Sequence, residues 1–144
     1  MSDDRRRARE AALQILYAWD IGQVQPLTAI DLFFQEHQPD ADDALRDRAA
    51  RLVLGTIAEL TAIDAVIEQH SRHWRLERLA VLDRLILRLA IWELRPGSGT
   101  PAPVVINEAI ELARRFSTDE AARFVNGVLD AVAKHKTPGV LGDA

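Results

Sequence analysis

The chain has no cysteine, which excludes disulfides, thiolate metal sites and cysteine nucleophiles and suits the cytoplasm, where the protein is expected to reside. No apolar run approaches the roughly 20 residues needed to cross a bilayer, so no membrane association is expected. The early apolar run is interrupted at Gln14 and lacks a small-residue cleavage pattern, so no secretory signal is expected either. No period-two alternation persists, which argues against half-buried strands. There is no glycine-rich phosphate loop and no dinucleotide fingerprint. Ser71, Ser98 and Ser117 stand in no nucleophile-elbow context. Neither an enzyme nor a cofactor is expected. Lysine is nearly missing: it occurs only at Lys134 and Lys136, so 16 of the 18 basic residues are arginine.

What remains is an ordinary globular composition, 144 residues at 48% hydrophobic and 28% charged, with a formal net charge of −4. That length fits one domain, or two small subdomains sharing a core. The acidic balance argues against a general nucleic-acid coat, so any such binding should be local. The local feature is the start. Arg5, Arg6, Arg7 and Arg9 run directly into Ala8, Ala11, Ala12, Ile15, Leu16 and Trp19. That apolar spacing is one face of a 3.6-residue helix, so the arginines sit on a docked helix rather than a loose tail. A GC-rich genome accounts for a general arginine bias but not for the clustering. Two readings stand: a solvated helix start, or a phosphate footprint, for which arginine's planar fork is suited.

Helix follows helix along the chain. Asp3 or Asp4 can cap the first, which is expected to end near Gly22. Pro26 favours a second start, with Leu27, Ile30, Phe33 and Phe34 on its apolar face. A long helical stretch carries Leu45, Leu52, Ile57, Leu60, Ile63, Val66 and Ile67, with a bend or close approach expected at Gly55. Leu76 to Leu94 is apolar almost all round and reads as a central, nearly buried helix. A Pro- and Gly-rich link at 95–103 precedes an amphipathic helix from Val104 to Phe116, where Glu111 and Arg115 can pair. Ser117 with Glu120 matches a capping box for the last helix. Gly127 within that helix predicts close helix approach, and Asn126 would need a partner if buried. Residues 136–144 are expected to form a disordered tail.

His70 and His73, with Asp64 and Glu68 nearby, fall short of the three or four convergent ligands a metal needs, and no metal is expected. Asp40, Asp42 and Asp43 lack the glycine and terminal glutamate of a calcium loop.

Four blocks carry a resemblance. They are Arg5–Glu10 with Leu16-Tyr17-Ala18-Trp19, then Leu87–Leu94, then Val105–Ala113, then Arg123–Asp130. In order and spacing they resemble the NusB family of bacterial transcription antitermination factors, from about Arg5 to Ala133. The resemblance implies an all-α fold of about seven helices in two small packed subdomains, residues 3–70 and 74–135, without catalytic activity. It implies binding of boxA leader RNA together with NusE, a small-subunit ribosomal protein, within an RNA polymerase antitermination complex; the state without RNA, monomer or homodimer, stays open. Arg5, Arg6, Arg7 and Arg9 would contact RNA, with Tyr17 beside them. Asp119, Glu120, Arg123 and Phe124 would lie along the RNA path. Asp83 and Arg88 would lie on or near the surface facing NusE. Two other readings remain: a helical protein-binding adaptor, whose arginines meet acidic protein, and a stand-alone RNA-binding accessory domain acting in trans.

Overall fold

The computed structural model describes residues 2–71 and 75–135, and every regular element among them is helical. The order is α1 (Ser2–Asp20), α2 (Pro26–His37), α3 (Asp43–Ala58), α4 (Leu60–His70), a short 3-10 turn (Leu76–Arg78), α5 (Val81–Glu93), α6 (Ala102–Phe116) and α7 (Asp119–His135). The chain divides into two compact units, Met1–Ile57 and Ala58–Ala144. The division groups α4 with the second unit, whereas the sequence reading grouped residues up to 70 with the first. His73 and the tail at 136–144 lie outside the described residues.

In the first unit, α1 is buried on two adjoining faces. Ala8, Ala11, Ala12, Ile15 and Leu16 form the expected stripe, with Trp19 half-buried at its end, and Arg9 and Leu13 add a second row that meets it at Leu16, at i, i+4, i+7. α1 packs on α2, which turns Ala29, Ile30, Phe33 and Phe34 inward. Arg46 ties α3 to α2, pairing with Asp31 and lying 5.8 Å from the Phe34 ring centroid. The turn after α1 puts Gln23, not Gly22, in the left-handed region, at φ 58°. Gly22 is needed for a different reason: a Cβ there would stand 2.7 Å from the Ala18 carbonyl oxygen.

The second unit is built around α5. Every residue from Leu85 to Ile91 is buried, as its near-continuous apolar sequence predicts, and α4, α6 and α7 all pack on it. The helix starts later than the apolar pattern, at Val81, because residues 76–78 form the separate 3-10 turn. The long stretch through residues 45–67 breaks at Glu59 (φ −104°, ψ 18°), while Gly55 stays within α3. In the link between α5 and α6, Gly97 and Gly99 take φ 78° and 85°, which only glycine adopts readily.

Two sequence expectations are corrected in α7. The cap is Thr118, whose Oγ1 accepts from the Ala121 N–H at 2.9 Å; Ser117 is not the cap. Gly127 makes no close approach, since a Cβ there would meet nothing within 4 Å, and Asn126 is exposed and needs no buried partner.

Candidate nucleic-acid interface

The first unit's basic patch is the opening of α1. Because the helix begins at Ser2, Arg5, Arg6 and Arg7 occupy its first two turns, and all three are exposed. Arg7 Nη2 donates to Gln38 Oε1 at 3.1 Å, which ties the patch to the residue following α2. Arg5 closes the first turn, where the positive end of the helix dipole makes a cation unfavourable by roughly 0.3–1 kcal/mol; Arg6 and Arg7 lie in the second turn, where that effect has fallen off. Arg9 differs from the others: it is 7% exposed, because it shares the buried row with Leu13 and Leu16. That burial sets Arg9 apart from the exposed triplet. Tyr17 is 44% exposed. It lies eleven residues beyond Arg6, about three turns and ~16 Å along the axis, at nearly the same angle. Exposed Gln14 sits between them. The outward face of α1 is thus one strip, cationic at its start and aromatic further along.

The second unit brings a separate set together. Asp119 and Glu120 are exposed in the first turn of α7, where the dipole favours negative charge. Arg123 is exposed and Phe124 half-buried on the same helix. An open recess of about 280 Å³ is lined by Arg78, Leu79, Asp83, Thr118, Glu120 and Phe124, among others. Ser117, freed from capping, donates its hydroxyl to Asp83 Oδ1 at 2.8 Å. That bond spans 34 residues and fixes the start of α5 against the α6–α7 link.

Arg88 does not share this surface. It is 7% exposed and holds Asp64 of α4 through two hydrogen bonds, Nε to Oδ1 at 2.8 Å and Nη2 to Oδ2 at 3.0 Å. Its Nη1 is buried without a partner among the described residues. Burial and the bidentate pair commit Arg88 to joining α4 and α5, so it can stand near an outward surface but not on it. Sequence reasoning missed Arg78, Gln38 and the Ser117–Asp83 bond, each of which depends on contacts distant along the chain.

His70 Nδ1 lies 3.0 Å from the Val66 carbonyl oxygen, and its ring centroid is 5.3 Å from that of His135. Among the described residues no three metal-ligating side chains converge. No described helix is long and apolar enough to cross a membrane. Glu111 pairs with Arg114 at 3.1 Å, while Arg115 lies 5.4 Å from the Phe116 ring centroid.

Comparison with known proteins places these features in context. The family model described as the NusB family matches residues 6–134. The transcription antitermination protein NusB of Solibacter usitatus is 48% identical over 134 residues, covering 90% of this chain and 88% of its own. The structure of T. maritima NusB superposes with a TM-score of 0.80 at 35% identity, covering 90% of each chain. A chain in the crystal structure of antitermination factors NusB and NusE in complex with dsRNA gives a TM-score of 0.81 at 28% identity. It covers 94% of this chain and 99% of its own.

Proposed function

The chain belongs to the NusB family of transcription antitermination factors, which are not enzymes, and on that footing we propose a specific RNA-binding role for it. It binds the boxA element of leader RNA together with NusE. The complex promotes RNA polymerase read-through of terminators, notably in ribosomal RNA operons, in the cytoplasm. The observation that carries this reading is the exposed Arg5–Arg7 triplet, held on an ordered helix of an otherwise acidic chain. A cluster whose first member, Arg5, opposes its own helix dipole has a function-side explanation in an anionic ligand. The similar NusB chain solved with NusE and dsRNA supports the same partners.

Arg5, Arg6 and Arg7 contact phosphates and bases in this reading, and Tyr17 stacks further along the strip. Arg9 contributes by anchoring α1. On the second unit, Asp119, Glu120, Arg123 and Phe124 border the RNA path. Asp83 belongs to the NusE-facing surface, and Arg88 supports that surface from within by holding α5 on α4. Three phosphate contacts on single-stranded RNA give a salt slope of only about −2, so a second, basic protein is needed for tight binding.

The test is binding of a short boxA-like RNA against a scrambled RNA of equal length, with and without NusE. Selective binding strengthened by NusE is expected. Equal, weak binding to both RNAs, unchanged by NusE, would overturn the reading in favour of a protein-binding adaptor.

A further inference from the structure

We propose that the cavity at the far end of α1 is a cation site that takes the guanidinium of an arginine side chain. It has a volume of about 240 Å³ and is lined by Trp19, Asp20, Gln23, Val24 and Gln25, all within the first unit. That volume is too roomy for a bare ion and suits one planar side-chain group.

The chemistry of the cavity is set by where α1 stops. Asp20 is the last residue of the helix, and the last turn holds no basic residue. A carboxylate there adds to the negative end of the helix dipole, and both favour a cation. The Tyr17 carbonyl accepts from the Ile21 N–H at 2.9 Å and the Ala18 carbonyl from the Val24 N–H at 3.3 Å, while the Trp19 carbonyl takes no N–H from the turn. Gln23 holds φ 58°, a left-handed conformation that costs a residue with a Cβ, although the adjacent Gly22 could adopt it freely. The outlier brings an amide, with its carbonyl acceptor, to the cavity wall. Trp19 is half-buried and contributes an indole, the best aromatic partner for a cation.

The walls are therefore rich in acceptors, beside an aromatic ring. A guanidinium answers them better than an ammonium, because its plane stacks on the indole while its fork meets the carboxylate. A carboxylate accepts at about four sites, so the contact Asp20 already makes leaves room for a forked donor. Among the described residues no arginine or lysine lines the cavity, so a second molecule supplies the guanidinium.

The experiment titrates N-acetyl-arginine amide, and the matching lysine and citrulline compounds, into the full chain. The Trp19 indole N–H is followed by NMR, with Trp19→Phe to identify its signal. The arginine compound is expected to shift that signal saturably, the lysine compound more weakly, and the uncharged citrulline compound not at all. Asp20→Asn should weaken the arginine compound on the order of tenfold. It removes a charge that the dipole opposes, so its denaturation midpoint should be unchanged or higher, which separates lost binding from lost folding. Gln23→Gly should raise the midpoint and weaken binding, since it relieves the left-handed residue but removes its amide. No shift, equal binding of the lysine or citrulline compound, or binding indifferent to Asp20→Asn would overturn the site. In a second arm NusE, without RNA, is titrated into wild type and Asp20→Asn. A matching loss identifies the arginine as one displayed by that protein, and an unchanged affinity assigns the site to free arginine. Only this arm rests on the RNA-binding reading above: if wild type fails to bind NusE, that reading falls and the arginine arm stands.

Discussion

Replacing Asp64 by alanine strands a guanidinium in the interior of the second unit. Arg88 is 7% exposed, its Nε and Nη2 both donate to Asp64, and its Nη1 already lacks a partner among the described residues. Removing one member of a buried ion pair costs about 3–5 kcal/mol, because the remaining charge is neither solvated nor paired. The Asp64 side chain is 22% exposed, so water reaches the vacated site and places the expected loss near ~3 kcal/mol. In a chain of this size that lowers the thermal midpoint by on the order of 10 °C. The assay is thermal and urea unfolding of wild type, Asp64→Ala, Arg88→Met and the double variant. The double variant should recover most of the loss, since two apolar side chains need no partner. A cost below about 1 kcal/mol for Asp64→Ala, the range of a surface pair, would refute the reasoning, as would losses that simply add in the double variant.

Three further outcomes follow from single positions. Gly127→Ala should stabilise the protein by about 1 kcal/mol, read as a higher denaturation midpoint, because the site is helical, exposed and open around the missing Cβ. Thr118→Ala should cost about 1 kcal/mol through the lost α7 cap; equal stability of this variant and wild type would return the capping role to Ser117. Thr56→Val, which removes a buried hydroxyl that has no partner among the described residues, should leave stability unchanged or raise it by ~1 kcal/mol, and a clear loss would reveal a bond at Oγ1.

The helices were legible where the 3.6-residue period was strong and undisturbed, as in α1, α6 and α7, while α5 was legible as a nearly all-apolar run but its start at Val81 was not. The break at Glu59 was not, because Ala58, Glu59 and Leu60 are all sound helix formers and nothing local marks it. The Thr118 cap was missed by one residue, because Ser117 and Glu120 satisfied the capping-box pattern equally well. Only the three-dimensional bond to Asp83 shows that Ser117 is occupied elsewhere. Composition and clustering identified Arg5–Arg7, whereas the burial of Arg9 required seeing that α1 packs on two faces. The recess at Arg78 and Phe124 joins positions 46 residues apart, and no local pattern encodes it.

The opening of α1 has a consequence in mass action. Its first two turns carry three like charges, Arg5 among them in the turn where the dipole disfavours a cation, so a small part of the first unit's stability is withheld in the free protein. An anion seated there returns it, making helix order at the N-terminus and ligand occupancy one linked equilibrium. At a hundred times its dissociation constant a ligand specific for the folded state adds about 2.7 kcal/mol. Because the charges are arginine, ordinary changes of pH do not retune this coupling, and ionic strength is the variable that does.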